Sequence, residues 1–380
     1  MSPHRPAPVA DLARGTDWAT TASLDEPFGL SETLKRTDAV LAEVCMELEQ
    51  QWRERCPEPA DLLRADLPEH LRSWLLPAAG KRLRPVMCHW GWVSAGGAVR
   101  ADGRDDVVTV CAALELVHLF ALVHDDVMDR SDSRRGRTTT HVDAAEQHDA
   151  AGAFGDPALF GDSIAILFGD LALTESWVLV GTLPAPLQRA WGDMLRELVQ
   201  GQLLDVTGAA ARRRDLGQAR RVARLKSGAY TVQRPLLLGA LAARADAPTL
   251  SALATYGGHL GEAFALRDDV LGLWGDPVRT GKPVGDDLLR GKATVLLAEA
   301  RRLLPAEVAE RHLGQRSVIA EADVDLLLDL MLDAGVREQA EHRVTAEVDL
   351  ALAALEHTDL DPTGADALRD LARSIAWRHA

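Results

Sequence analysis

Two clusters of aspartate, each followed by basic residues in a glycine-containing loop, are the parts of this sequence best equipped for chemistry. The first is His124-Asp125-Asp126 with Asp129 and Asp132, closing an apolar run from Leu114 to Val123. On a helix, Asp125 and Asp129 share one face and Asp132 falls a turn further on. Like charges at that spacing repel each other and oppose the dipole at a helix C-terminus, so something should compensate them. Magnesium suits such hard oxygen ligands, because it bridges carboxylates to substrate phosphates. Arg134-Arg135-Gly136-Arg137 follows closely. Guanidinium forks beside metal-binding carboxylates make a site for a diphosphate. Taken singly, each half has an ordinary reading as a solvated acidic helix end or a solvated basic loop.

The pattern then repeats. Asp268 and Asp269 end a second apolar helical stretch through Ala263, Phe264 and Leu266, Asp276 follows, and Lys282 and Lys292 flank another glycine-rich loop. Gly80-Lys81-Arg82-Leu83-Arg84-Pro85 stands at a loop-to-helix junction, where free N–H groups and the helix dipole favour a phosphate. It lacks the glycine and Lys-Ser/Thr ending of a nucleotide-binding P-loop. Lys226-Ser227-Gly228 falls in mid-helix, where a single lysine is ordinarily a surface residue. Gln202 and Asp205, one turn apart in GQLLD, read alone as polar groups lining a core.

Helices must position these groups. Tyr and Phe are scarce (2 and 6), while Leu and Ala recur throughout the 380 residues, which favours helix over sheet. Residues 1–30 lack periodicity and are rich in Pro, Asp and small residues, the pattern of a disordered tail. Residues 31–380 then read as one all-α domain. Ser31 is placed to cap the first helix. Further helical stretches are expected at about 59–75, 83–96, 105–129, 157–182, 185–208, 213–243 and 248–274, with shorter ones at 292–303 and within 320–378, and no strand-like alternation is seen. A net charge of −15 argues against general affinity for nucleic acid or anionic membrane. Such a protein binds an anionic substrate by recruiting divalent cations and placing its Lys and Arg locally. Cys45, Cys56, Cys88 and Cys111 show no metal-ligand spacing and read as buried thiols, which fits a cytoplasmic protein. The start of the chain resembles no signal peptide, and no charge-free apolar stretch reaches membrane-spanning length, so no stable membrane insertion is expected.

In combination, GKRLRP at 80–85, HLFALVHDDVMD at 118–129, RRG at 134–136, GQLLD at 201–205, KSG at 226–228 and FALRDD at 264–269 closely resemble the polyprenyl synthetase family of trans-isoprenyl diphosphate synthases. The resemblance covers roughly residues 35 to 375. It implies a helical bundle around a deep central cavity (the isoprenoid synthase fold), usually as a homodimer. It also implies magnesium-dependent, head-to-tail joining of isopentenyl diphosphate to an allylic diphosphate. By position, Asp125, Asp129 and Asp268 would bind magnesium, supported by Asp126 and Asp269. Lys81, Arg84, His118 and Arg135 would hold isopentenyl diphosphate. Arg134, Lys226, Lys282 and Lys292 would hold the allylic diphosphate. Three positions depart from the family pattern: Gly272 replaces an aspartate, Ala265 replaces a glutamine, and Ser227 replaces a threonine.

For that reaction the protein needs charge neutralisation on the leaving diphosphate and a dry cavity more than a general base. Phe120 and Ala121, five and four residues before Asp125, are expected to border the cavity and set product length. An aromatic followed by a small residue, with no insertion in the motif, resembles geranylgeranyl diphosphate synthases, with farnesyl and geranylfarnesyl products as alternatives. The rival activity is a class I terpene cyclase, which needs the first aspartates but no isopentenyl site.

Overall fold

The apolar run ahead of the first aspartates forms the centre of a helical bundle. The computed structural model describes residues 29–55, 66–76, 81–134, 136–211, 215–275, 285–289, 292, 294–314 and 319–377. Arg135, Lys282, Asp276, Cys56 and the expected tail up to residue 28 lie outside them.

In chain order the helices are α1 (Leu30–Arg55), α2 (Leu67–Leu75), α3 (Leu83–Ser94), α4 (Gly97–Arg100) and α5 (Arg104–Asp129). A small hairpin follows, β1 (Ser133–Arg134) and β2 (Arg137–Thr138), pairing Arg134 with Arg137. Next come α6 (Thr140–Ala150), α7 (Pro157–Val180), α8 (Ala185–Ala210), α9 (Leu216–Val222), a π-helical segment (Ala223–Gln233), α10 (Arg234–Ala242) and α11 (Ala247–Trp274). The rest is α12 (Asp286–Leu289), α13 (Val295–Leu303), α14 (Ala306–Leu313), α15 (Val324–Asp333), α16 (Val336–Ala353) and α17 (Pro362–Ala376).

α5 is central because it is apolar on two sides. Val107, Val110, Leu114 and Val117 pack with α3, α8 and α10, while Ala112, Leu116, Leu119 and Val123 pack with α1, α2 and α7. A third core, around α11, α16 and α17, carries the second aspartate pair. The fold is thus all-α, as expected, with one hairpin besides among the described residues.

Several local expectations are corrected. α1 begins at Leu30, so Ser31 lies in its first turn and does not cap it. Asp132 is off the helix, because Arg130 takes a left-handed conformation (φ 53°) and ends α5 at Asp129. The helix expected over 213–243 changes register in the middle. Pro235 has no N–H to offer and its ring crowds the carbonyl a turn back, and the turns before it widen into a π segment. α6 was not expected, since THVDAAEQHDA has few apolar residues; it buries only Thr140, His141, Ala144 and His148.

Two helices, α5 and α7, are long and apolar enough to cross a membrane, with mean hydropathy 2.0 and 1.6. Each run carries acidic residues, Glu115 in α5 and Asp162, Asp170 and Glu175 in α7, and length and composition alone do not make a span, since the core helix of a bundle passes the same test. α5 is enclosed by other helices, whereas α7 buries only 33% of its apolar window. Cys45, Cys88 and Cys111 are buried free thiols, as expected.

Candidate active site

Close approach of three backbones sets the geometry around the first aspartates. A Cβ on Gly201 of α8 would lie 2.6 Å from the Lys226 amide nitrogen, and one on Gly228 would lie 2.6 Å from the Gly261 carbonyl of α11. A side chain at either place would push the π segment off its neighbours, and Lys226 with it.

Asp125 is the hub. Lys226 Nζ donates to Asp125 Oδ1 at 2.8 Å and to Asp205 Oδ2 at 2.6 Å. Gln202 Nε2 donates to the same Asp125 oxygen at 3.2 Å, and Arg134 Nη2 lies 3.6 Å from Oδ2. Burial pushes the Asp125 carboxyl up, but the charges of Lys226, Lys292 and Arg134 outweigh it and hold its pKa at about 2. Burial likewise disfavours the Lys226 charge, and Asp125 and Asp205 overcome this and raise its pKa. The pair is therefore ionised at neutral pH.

Asp126 faces inward. It is 3% exposed and accepts from Arg134 Nε on both oxygens, at 2.8 and 2.9 Å, with Nη2 at 2.6 Å. Burial raises its carboxyl pKa even against that guanidinium. Its contact thus ties the hairpin to α5. Asp129 accepts from Lys292 Nζ at 2.6 Å.

The second pair divides its labour in the same way. Asp268 is exposed on α11, while Asp269 Oδ2 accepts from the Val295 amide at 3.2 Å, at the start of α13. Thr294 Oγ1 caps the same helix by accepting from Leu297 N at 3.2 Å. Lys292 and Val295, three residues apart, therefore tie the first aspartate motif to the second. At Gly272, where the family pattern has an aspartate, the returning chain donates from Gly285 N to the Gly272 carbonyl at 3.3 Å. Ala265 is buried in α11.

The remaining basic groups lie around α3. Arg82, in a left-handed conformation at the helix start, pairs with Asp38 at 2.7 Å and Glu115 at 3.4 Å. Lys81 precedes it in the chain. Arg84 donates from Nη2 to Thr231 Oγ1 at 3.0 Å, and its guanidinium stacks 4.3 Å over the Tyr230 ring. His118 and Ala121 lie half-buried on the Asp125 face of α5, and the Phe120 ring meets the His124 ring at a tilt of 59° with centroids 4.6 Å apart.

Asp125, Arg134, Lys226, Asp129 and Lys292 are thus brought together, a grouping that the resemblance implied and that the residues read singly did not. Gln202 and Asp205 belong to the same cluster, although each read alone as core-lining; the signal was their one-turn spacing in a motif that already stood beside the others. Among the described residues no three His, Cys, Asp or Glu side chains converge as a ready metal cage. Two hard carboxylates on one helix face fit an ion that takes few protein ligands and fills its shell with water and phosphate oxygens, as magnesium does.

Residues 69–331 match the polyprenyl synthetase family. The chain is 31% identical over 291 residues to a geranylfarnesyl diphosphate synthase of Aeropyrum pernix, covering 73% of this chain and 83% of that one. It is 36% identical over 293 residues to a geranylgeranyl diphosphate synthase of Mycobacterium tuberculosis, covering 75% and 77%. Its structure resembles the geranylgeranyl pyrophosphate synthase of Corynebacterium glutamicum complexed with isoprenyl diphosphate and magnesium, with TM-score 0.80 and 34% identity over 90% of this chain and 99% of that one. A helical bundle, paired aspartate motifs bridged by lysines, and relatives of this similarity place the chain in the polyprenyl synthetase family of trans-prenyl diphosphate synthases.

Proposed function

We propose that the protein joins isopentenyl diphosphate head to tail to an allylic diphosphate, with magnesium, to give geranylgeranyl diphosphate. The observation that carries this reading is the charge arrangement at Asp125 and Asp129, each engaged by a lysine from a distant part of the chain, Lys226 and Lys292. Asp125, Asp129 and the exposed Asp268 would hold magnesium, which when bound neutralises charge growing on the leaving diphosphate. Arg134, Lys226 and Lys292, with Lys282, would meet the allylic diphosphate oxygens. The allylic C–O bond breaks with its electron pair going to diphosphate. The isopentenyl double bond attacks the resulting cation, and the proton then lost goes to the departed diphosphate. Lys81, Arg84, His118 and Arg135 would hold the isopentenyl diphosphate alongside. One domain, residues 31–380, would carry all of these groups.

Purified protein with magnesium, isopentenyl diphosphate and each allylic diphosphate, followed by product sizing, tests this. Twenty-carbon diphosphate is the expected main product. A cyclic hydrocarbon formed without isopentenyl diphosphate would establish the terpene cyclase alternative, and fifteen- or twenty-five-carbon products would reassign chain length.

The two diphosphate sites are expected to separate kinetically. Arg84→Ala should raise the KM for isopentenyl diphosphate, through loss of a charge-assisted contact, whereas Lys226→Ala should raise that for the allylic substrate. Initial rates with each substrate varied in turn decide it. Equal weakening of one substrate by both variants would refute the allocation.

A cytoplasmic homodimer completes the reading. Leu167, Trp177 and Val178 on α7 and Val199, Leu203 and Val206 on α8 are all exposed apolar residues, and a patch of this kind marks a protein contact. Val178→Glu is expected to halve the mass in solution, read by light scattering. A Val178→Glu protein that keeps the dimer mass would exclude this face.

A further inference from the structure

Building on the function proposed above, we propose that Thr231, together with the Tyr230 ring, is the positioning residue for Arg84, and that the π segment links the isopentenyl half of the site to the allylic half. Thr231 and Tyr230 are 3% and 4% exposed, so the hydroxyl and the ring meet Arg84 away from bulk water. The Thr231 hydroxyl accepts from Arg84 Nη2 at 3.0 Å, and the guanidinium lies 4.3 Å over the ring centroid. One contact fixes a nitrogen and the other seats the guanidinium carbon over the ring. Together they restrict where the remaining N–H groups of the fork can point.

The same segment carries Lys226 five residues earlier, engaged with Asp125 and Asp205. In an α-helix, residues five apart point about 140° away from each other. The i→i+5 bonding of a π-helix brings them towards one side instead. The wide turns over Ala223–Gln233 therefore let one short segment serve both Asp125 on α5 and Arg84 on α3. Gly228 lies between them, where the backbone touches Gly261, so the segment is braced from α11 while its other side holds the two basic groups.

Thr231→Val keeps shape and volume but removes the acceptor. The expected result is a rise of about ten-fold in the KM for isopentenyl diphosphate, in the range for a hydrogen bond to a charged group, with the allylic KM and kcat within about two-fold. Thr231→Ser, which restores a hydroxyl, should return the KM to within about two-fold of the starting value. In an Arg84→Ala background, Thr231→Val should add nothing, because its effect passes through Arg84. A purely structural role would move both KM values and would persist in that background. The proposal is overturned if Thr231→Val leaves the isopentenyl KM unchanged, or raises it as much with Arg84 absent as with Arg84 present. Failure of the wild-type protein to consume isopentenyl diphosphate, or of Arg84→Ala to raise its KM, would instead overturn the functional reading on which it rests.

Discussion

Alanine in place of Asp125 or Asp129 is expected to lower turnover by about three orders of magnitude, the equivalent of several kcal/mol of lost charge stabilisation. The fold should survive either change. Each carboxylate is half-buried and engaged by a lysine that has other surroundings to turn to; Lys226, for instance, keeps Asp205 at 2.6 Å when Asp125 is removed. Asp126→Ala makes an instructive contrast. That carboxylate is 3% exposed and accepts from Nε and Nη2 of the Arg134 guanidinium. Its loss leaves a buried cation without its partner and loosens the hairpin, so it should lower thermal stability as well as rate. Single-turnover rates at saturating magnesium, paired with thermal melts, separate the two cases. Near-normal turnover in Asp125→Ala or Asp129→Ala would remove the metal assignment. An unchanged melting temperature in Asp126→Ala would show that its pairing with Arg134 carries no stability.

What could be read in advance was what repeats or clusters along the chain. Asp125 and Asp129 share a face because four residues make about one turn, and that is local. The long apolar helices were legible for the same reason, since Val107 to Val123 alternates with helical spacing. Partnership across the fold was not legible. Nothing in Lys226-Ser227-Gly228 says that the lysine will find Asp125, 101 positions away, or that Lys292 will find Asp129, 163 positions away. The division within each aspartate pair was equally hidden. Asp126 and Asp269 look like their neighbours in sequence, yet one serves Arg134 and the other the start of α13. Only the packing of helices decides which carboxylate meets the lysines and which is taken up by the scaffold. The π segment was missed because apolar spacing over eleven residues does not distinguish a wide turn from an ordinary one; Pro235 was the available signal. α6 was missed for the opposite reason, since its buried face is made mostly of Thr and His.

Product length should respond to Ala121 and Phe120 in opposite directions. Residues 118, 121, 122, 125 and 129 form one stripe along α5 and keep partial accessibility; Phe120 and His124 beside it are partly accessible too, while Val117, Leu119 and Val123 are buried. That stripe, at spacings of three and four, continues from the aspartates down the helix and marks the side on which a growing apolar tail would lie. Ala121 is its smallest member, one turn below Asp125. Phenylalanine there would fill the space beneath Asp125 and Asp129, and products should shorten to fifteen carbons or fewer. Phe120 sits about 140° around the helix from Asp125, against the tilted ring of His124 and packed where the α8-side and α7-side cores meet. It therefore stands on the α7 side of α5 instead of in line with the aspartates. Phe120→Ala would open that side and should carry products beyond twenty carbons. The helix geometry makes the Ala121→Phe effect the larger, because it places the new ring directly on the tail's side. General destabilisation would slow both variants without moving their products apart. Product sizing at one fixed ratio of isopentenyl to allylic diphosphate decides it, and unchanged lengths in both variants would remove these two residues as the ruler while leaving the prenyltransferase reading in place.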